Sequence, residues 1–472
     1  MVKYPFYIDR LMLFLCLCLP FSISVFMRPG LGMQFLSEPL LVLIGLLFFF
    51  KIFGEKSGVK DLLLCPNWVC SMQKTTVSTI LLYLPYWIWA YLIWLFVSAS
   101  FSPLPWIGFK SAIAHSVFII PAFFVSISLF RENLFSKKNK TEKFVQKTNR
   151  FFDSSCLAQK MLLCLVFSSA LVASYTIIHY IFLLPLSIDK IFYISQPFFN
   201  DHTQLAAWLS MMLPVSIFFS FYYSGRKWVK IFCIIAVFLI LFGIIISHCR
   251  ASWLSLFIAG VLFLASQWKL SRKKWIGISV VSLLLLFLVL KPVLQWGERV
   301  GASKSNNPIT NLLSLTNWSK DVSSMERCNR WKCAYRICKD FPISGSGIGT
   351  YSFLYGPYQK EAEITEISTY KGDAGNAHSE YFTALSETGI IGAGIFLCMT
   401  FVGFLLGYRA YKKQSKPSMQ KYILTILLSL TTYFSHALVN NFLDTDKLAF
   451  IVFFFLSILF FEYQKSQMEI EK

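Results

Sequence analysis

The chain has 472 residues, of which 56% are hydrophobic and only 14% are charged. A soluble domain carries about a quarter charged residues, so this composition excludes an ordinary soluble protein and predicts an integral membrane protein. The net charge of +20 is also typical of nucleic-acid-binding proteins, but these gather their charge on one soluble face. Here the basic residues form short runs between apolar stretches. We therefore predict membrane lipids, and no nucleic acid, as partners.

Apolar stretches of the length that crosses a bilayer, roughly 17–25 residues, recur along the chain and predict about twelve membrane-spanning helices. They lie near residues 11–27, 36–53, 77–99, 111–130, 161–185, 204–223, 229–247, 251–267, 275–293, 389–408, 421–439 and 448–463. The first stretch resembles a signal peptide, but no cleavage site of small residues follows it, so it is interpreted as the first helix.

The positions of the basic residues predict the orientation of these helices. With a cytoplasmic N-terminus, runs such as 137–143 and 269–274 fall on the cytoplasmic side. The short outward connections then hold only Arg28, Lys110, Lys190, Arg250 and Lys447. This is the positive-inside pattern. It predicts a multi-pass protein of the bacterial inner membrane with both termini in the cytoplasm.

The expected organisation is all-α with three parts. Residues 1–293 form spans 1–9, residues 294–388 form one large periplasmic loop with short helices, and residues 389–472 form spans 10–12 with a short cytoplasmic tail. The first part of the loop is rich in Lys and Arg and the second part in acidic residues. A basic helix beside a membrane suits an anionic ligand, because Arg can donate two hydrogen bonds to phosphate oxygens. A solvated amphipathic helix packed on the bundle is the alternative.

Two segments of the loop have unusual composition. A predicted helix starts near Ser323 or Ser324 and ends before Pro342, and the sequence Ser344-Gly-Ser-Gly-Ile-Gly follows it. Alternate glycines permit tight turns and the close approach of a ligand. No strand precedes them, so a nucleotide-binding fingerprint is rejected.

A histidine and an arginine are the other candidates for chemistry. His378 lies at the membrane-proximal end of the loop, and Arg250 lies at the outward end of a helical hairpin. An interfacial Arg is costly and often marks a ligand site, although snorkelling towards the headgroups is an equally good explanation.

Four blocks of sequence together resemble the O-antigen ligase and O-antigen polymerase superfamily. They are Phe199-Asn-Asp-His-Thr-Gln-Leu-Ala-Ala, Ser247-His-Cys-Arg-Ala-Ser-Trp, the pair Arg327-Cys-Asn-Arg-Trp-Lys-Cys-Ala and Pro342-Ile-Ser-Gly-Ser-Gly-Ile-Gly, and the pair Ala377-His-Ser-Glu-Tyr-Phe and Glu387-Thr-Gly-Ile-Ile-Gly. The chain departs from the family pattern at Ser379 and His202, where Asn is usual. Ser247 and Arg250 are also separated by two residues, whereas the family has them adjacent.

The resemblance implies a GT-C-like glycosyltransferase that moves a glycan from an undecaprenyl-pyrophosphate donor to a lipid A-core acceptor on the periplasmic side. It implies that His378 is catalytic and that Arg250 and Arg327 bind the donor pyrophosphate, with Arg330 in reserve. Arg330 lies on the same helix as Arg327, rotated by about 300°, so it either turns towards the donor or faces solvent. A pyrophosphate leaving group needs its charge neutralised, and a base with a pKa near neutrality must deprotonate the acceptor hydroxyl. No cofactor is expected, and since the sequence has no clustered outward carboxylates, no metal is expected either.

Several alternatives stay open at this point. Within the same class, the chain could be a polysaccharide polymerase, with a growing glycan as acceptor, or a protein O-oligosaccharyltransferase. A flippase or transporter predicts charged residues in the middle of the spans and helices broken in corresponding halves. Charges at mid-span are nearly absent, so this class is disfavoured. A passive scaffold leaves the loop motifs unexplained.

Overall fold

The computed structural model describes residues 5–28, 31–54, 83–141, 157–183, 193–223, 226–267, 322–365, 368 and 375–468. Within these ranges the chain is mainly helical. The helices are α1 Pro5–Cys18, α2 Ser37–Gly54, α3 Leu84–Ser100, α4 Pro105–Ile119, α5 Ser126–Thr141, α6 Leu157–Leu183, α7 His202–Tyr222, α8 Lys227–Ile246, α9 Arg250–Gln267, α10 Val322–Asp340, α11 Tyr351–Leu354, α12 Glu380–Lys413, α13 Pro417–His436 and α14 Asp446–Met468. The π-helical segment Ile120–Val125 joins α4 to α5, and short 3₁₀ turns occur at Leu19–Phe21, Gly356–Tyr358 and Glu361–Glu363.

Helices cover most of the described residues in the apolar stretches that the sequence singles out, and the stretch 275–293 lies outside the described residues. Among the described residues, seven helical segments are long and apolar enough to cross a membrane. They are Ser37–Gly54, Pro105–Leu134, Leu157–Phe182, His202–Tyr222, Lys227–Ile246, Arg250–Gln267 and Glu380–Lys413. A mainly helical membrane architecture is therefore confirmed, while the total of about twelve spans stays a prediction.

One small element departs from the expected all-α fold. Strand β1, Ser24–Arg28, pairs in antiparallel fashion with β2, Leu31–Gln34. The predicted span 11–27 is therefore not one helix, because α1 ends at Cys18. Pro20 follows directly in a 3₁₀ turn, and a proline inside a helix removes a hydrogen bond and clashes with the preceding turn.

The packing places α13 and α14 inside the bundle. Helix α13 contacts α7, α9, α12 and α14. Helix α14 contacts α2, α4, α5, α12 and the π-helical segment. Phe450, Phe453 and Phe454 of α14 are fully buried. A helix that is apolar on all sides belongs in such a position. By contrast, the large side chains Phe238, Phe242 and Phe257 on α8 and α9 are exposed, as expected for surfaces that face lipid.

The described part of the polar loop packs on the bundle through α10 and α12. Residues 294–321, which include Lys320 of the basic segment, lie outside the described residues. Helix α12 runs from the loop into the predicted tenth span, and Gly389 interrupts it with φ 67° and ψ −174°. The predicted boundary between loop and membrane, residue 388, falls at this kink.

Candidate active site

His378 lies in a constrained turn immediately before α12. Its backbone is left-handed, with φ 50°, which is uncommon for a residue other than glycine and is found often at functional sites. The Asn376 side chain accepts a hydrogen bond from the His378 amide at 3.0 Å. Trp331 of α10 donates to the His378 carbonyl at a long 3.4 Å and stacks on Phe382. The turn is therefore held from both sides.

Arg330 lies behind this turn and is buried at 6% exposure. Its Nε donates to Glu326 at 2.8 Å, and its Nη1 donates to the carbonyl of Asn376 at 2.9 Å. The guanidinium also lies over the ring of Tyr355, and a Cβ at Gly375 would lie 2.2 Å from Nη1. The structure therefore places Arg330 neither in solvent nor in an open position. It joins α10 to the segment that carries His378.

Glu326 is the residue that makes this burial of Arg330 possible. Its second oxygen accepts hydrogen bonds from Thr365 at 2.8 Å and from Ser368. Burial raises the pKa of this carboxyl, but hydrogen bonds from Ser368, Arg330 and Thr365 outweigh it, and the net pKa lies below the ordinary value. The carboxylate is therefore charged and pairs with a charged Arg330.

The alternating glycines after α10 form a close contact with α12. Gly345 and Gly389 have φ of 73° and 67°, and a Cβ at either position would lie 2.2 Å from backbone atoms of the other segment. Both oxygens of Glu387 accept backbone hydrogen bonds from this loop, from Gly349 at 2.9 Å and Tyr351 at 3.0 Å. The close approach that the alternate glycines predicted is therefore between two segments of this chain at Gly345 and Gly389.

Arg250 is the first residue of α9 and is half-buried. The residues beside it meet the end of α13. Ser252 lies 3.3 Å from Nδ1 of His436, and the Cys249 sulfur lies 3.8 Å from Nε2 of the same ring. Asn440 completes the surroundings of His436 at 2.9 Å. The start of α9 is therefore fixed against α13 by a buried polar cluster.

Asp201 and His202 begin α7 on the loop before it. Asp201 is the N-cap residue and accepts a hydrogen bond from the Thr203 amide at 3.1 Å. His202 Nδ1 lies 2.7 Å from Asp201 Oδ1, and the two side chains are 13% and 50% exposed. Burial raises the pKa of Asp201, but hydrogen bonds from His202 and Thr203 outweigh it and bring the pKa to about 2. The site therefore contains an ionised carboxylate.

The end of α13 brings the start of α9 and the His378 turn near each other, because His436 contacts Ser252 and the Ala437 carbonyl accepts a hydrogen bond from the Glu380 amide at 3.0 Å. Burial and the charges of Arg330 and Arg327 together lower the pKa of His378 to about 4, and the charge of Asp201 opposes them. Burial raises the pKa of Cys249, next to Arg250, and this thiol also interacts with Asp201 and Arg327. The start of α9, helix α10 and the His378 turn therefore lie near one another, and Asp201 in the loop before α7 interacts with them electrostatically. His378 is neutral at pH 7, but its pKa in the free protein is well below the neutral value expected for the base.

Within the ranges that the structure describes, no group of three or more His, Cys, Asp and Glu side chains is arranged to hold a metal ion. Metal independence stays a prediction.

Comparison with protein families gives a match. A family model described as O-antigen ligase matches residues 235–397. Residues 235–397 are an O-antigen ligase domain. The O-antigen ligase domain includes Arg250, Arg327 and His378, whereas Asp201 and His202 lie before it. No curated protein matches the chain.

The family match supports the membrane architecture and the class of enzyme that the resemblance implies. The O-antigen ligase domain and the apolar helices together indicate a multi-pass membrane glycosyltransferase of the ligase and polymerase type, with lipid-linked glycan substrates.

Sequence reasoning overlooked several residues of the cluster. Glu326 precedes Arg330 by four residues, the spacing of an ion pair on a helix, so this pair could have been found. Asp201 before Thr203 has the pattern of an N-cap, but nothing local connects it to His378. His436 has no sequence signal, because only the packing of α13 on α9 brings it to the site.

Proposed function

We propose that this protein transfers a glycan from an undecaprenyl-pyrophosphate donor to a lipid A-core acceptor on the periplasmic side of the inner membrane. The observation that carries the proposal lies within a domain of the O-antigen ligase family. There the end of α13 contacts both the start of α9 and the first residue of α12, and α10, which carries Arg327, contacts His378 through Trp331. The reaction needs positive charge for the leaving pyrophosphate and a base for the acceptor, and these residues can supply both.

Arg250 and Arg327 are the proposed ligands of the pyrophosphate. The N-terminus of a helix carries a partial positive charge that favours anions. A phosphate at the start of α9 would accept hydrogen bonds from backbone N–H groups there, and the charge of Arg250 adds to this attraction. Nε and Nη1 of Arg330 donate hydrogen bonds within the protein, to Glu326 and to the Asn376 carbonyl. The proposed role of Arg330 is therefore to hold the His378 turn and to add positive potential.

His378 is the proposed base. In the free protein Arg330 and Arg327 help to keep it neutral, which is the form that can accept a proton. When a pyrophosphate binds between the arginines and the histidine, its negative charge offsets theirs and raises the pKa of His378. The acceptor proton then moves to His378 as the acceptor oxygen bonds to the anomeric carbon and the pyrophosphate leaves with the bonding electrons. Donor binding would therefore strengthen the base.

The test is transfer in proteoliposomes that contain the purified donor and lipid A-core. We expect transfer by the wild type, and a loss of about a hundredfold or more in His378→Ala, the usual contribution of a general base, and of similar size in Arg250→Ala. Lys339→Ala is the matched control, because Lys339 lies on α10 and contacts Tyr335, away from the cluster.

The outcome that contradicts the residue roles is wild-type transfer by folded His378→Ala and Arg250→Ala proteins. Lengthening of the donor glycan without lipid A-core would instead identify a polymerase, and transfer to a protein hydroxyl an O-oligosaccharyltransferase. If donor glycan crosses the bilayer but is never transferred, the protein is a flippase.

A further inference from the structure

The end of α13 and the turn that follows it contact both segments that carry the proposed chemistry. We call these residues, 433–443, the α13 frame. In the part of the chain that the structure describes, the hydrogen bonds of the α13 frame with other helices go to the start of α9 and to the start of α12. Arg250 lies at the first of these places, and His378 lies two residues before the second.

His436 connects the α13 frame to α9. Its Nδ1 lies 3.3 Å from the Ser252 hydroxyl, and the Asn440 side chain lies 2.9 Å from its Nε2, so both nitrogens of this buried ring have partners. Because successive helical residues are rotated by about 100°, Ser252 and Arg250 point in nearly opposite directions from α9. The contact of Ser252 with His436 therefore sets the direction in which Arg250 leaves the helix.

Glu380 connects the α13 frame to the His378 turn. One of its carboxyl oxygens, Oε1, accepts hydrogen bonds from the Tyr433 hydroxyl at 2.7 Å and from the amides of Phe442 and Leu443. An acidic residue in the first turn of a helix is often explained by the helix dipole, but all three of these donors belong to the α13 frame. Glu380 therefore fixes the first turn of α12, two residues after His378, against the end of α13.

The two connections meet inside the α13 frame. The ring of His436 packs edge-on against the ring of Phe442, with 5.6 Å between the ring centres, and the Phe442 amide is one of the donors to Glu380. A series of contacts thus runs from Ser252 through His436 and Phe442 to Glu380. The proposed phosphate ligand of α9 and the proposed base each lie two residues from one end of this series.

We propose that His436 and Glu380 are positioning residues for glycan transfer, and that the α13 frame sets the spacing between Arg250 and His378. This assignment rests on the proposed function and adds residues to it. Both side chains are buried, at 1% and 6% exposure, so they act through Arg250 and His378 and not on the substrate. Such a frame matters because a misplacement of about 1 Å can cost about a hundredfold in rate.

A general role in holding membrane helices together makes a different prediction. Buried polar side chains often serve only to join helices, and the loss of such a contact lowers stability without separating donor binding from the chemical step. Positioning predicts a separation. His436 should affect donor binding, because it acts through Arg250, whereas Glu380 should affect the chemical step, because it acts through His378.

The test measures donor binding and turnover separately in proteoliposomes. The binding probe is a fluorescent undecaprenyl-pyrophosphate-linked glycan, and transfer to lipid A-core gives kcat. His436→Ala and Ser252→Ala remove the two sides of the connection to α9, and Ser252→Ala keeps the test decisive if His436→Ala does not fold. Glu380→Ala removes the connection to α12, whereas Glu380→Gln keeps an oxygen that can accept the same three hydrogen bonds. Thr431→Val is the matched control, because the Thr431 hydroxyl donates within α13 at 2.9 Å.

We expect donor binding to weaken about tenfold in His436→Ala and about two- to threefold in Ser252→Ala. Glu380→Ala should bind the donor within about twofold of the wild type but have a kcat lower by about 10- to 100-fold. Glu380→Gln and Thr431→Val should stay close to the wild type in both measurements. Equal loss of kcat in Glu380→Gln and Glu380→Ala, or donor binding weakened equally in His436→Ala and Glu380→Ala, overturns the proposal.

Amide hydrogen exchange separates the α13 frame from the proposed function, because it needs no reaction. We expect faster exchange at residues 250–256 in His436→Ala and at residues 378–386 in Glu380→Ala, with neither change in Thr431→Val. Wild-type exchange in both alanine variants overturns the α13 frame. A wild type that transfers no glycan contradicts the proposed reaction, while faster exchange in the two variants still supports the frame.

Discussion

The loop side of the site, with Arg330 and His378, and the segment before α7, with Asp201 and His202, are supported in different ways. Arg330 and His378 depend on contacts inside the polar loop, from Glu326, Asn376 and the glycines that join the loop to α12. Asp201 and His202 depend on contacts from the bundle itself, through Tyr175, Ser24 and Lys447. The first side can therefore be loosened within the loop alone, whereas the second follows the packing of the membrane helices.

The largest expected effect is on the loop side, in Glu326→Gln. This change leaves Arg330 buried without its ion pair, and the loss of one partner of a buried pair costs about 3–5 kcal/mol. We expect a lower thermal unfolding midpoint in detergent and greater protease cleavage between residues 322 and 379, with the cleavage pattern of α7 unchanged. Lys332→Gln is the control, because Lys332 is exposed and its ion pair with Glu363 lies at the surface. Equal cleavage of Glu326→Gln and the control would show that the loop does not depend on this pair.

A smaller effect is expected at the joint between the glycine loop and α12. Gly389→Ala places a Cβ 2.2 Å from the Ile343 carbonyl oxygen in a left-handed conformation, so we expect a loss of about 1–3 kcal/mol in the free energy of unfolding. Gly394→Ala, five residues further along α12, meets no atom within 4 Å and should leave stability equal or raise it. The check is a comparison of the unfolding midpoints of the two variants. Equal midpoints for Gly389→Ala and Gly394→Ala would contradict the close contact at Gly389.

The sequence predicted the helical bundle well because long apolar stretches are a direct physical signal. It did not predict the hairpin at Ser24–Gln34, where a proline ends α1 early. In the site, the Ser344–Gly349 segment was recognised as a tight turn, but the partner that approaches it, Glu387 with Gly389, is about forty positions away and is fixed only by tertiary packing.

The candidate site could be predicted only in part for a similar reason. The family resemblance identified Arg250, Arg327 and His378 as candidates. In the structure, the segments that carry them lie near one another. The contact between Asp201 and His202 is local, whereas the electrostatic interaction of Asp201 with His378 depends on the packing of α7 beside α9 and α13. The low pKa of His378 had no local signal, because its causes are burial and two arginines on another helix.

The smallest expected effect concerns the pH dependence of stability. It compares the influence of the loop arginines and of Asp201 on the pKa of His378. The pKa of His378 is about 4 in the folded protein against an ordinary value of 6.5, so the unfolded chain binds a proton more readily than the folded one. Acidification from pH 6.5 to 4 therefore removes stability, and the full contribution is present above pH 6.5. We expect His378→Gln to have a flatter dependence of the unfolding midpoint on pH across this window than the wild type. Asp201→Asn should have a steeper one, because the carboxylate that favours protonated His378 is gone. If both variants follow the wild-type curve, the arginine side and the carboxylate side do not act on the same histidine.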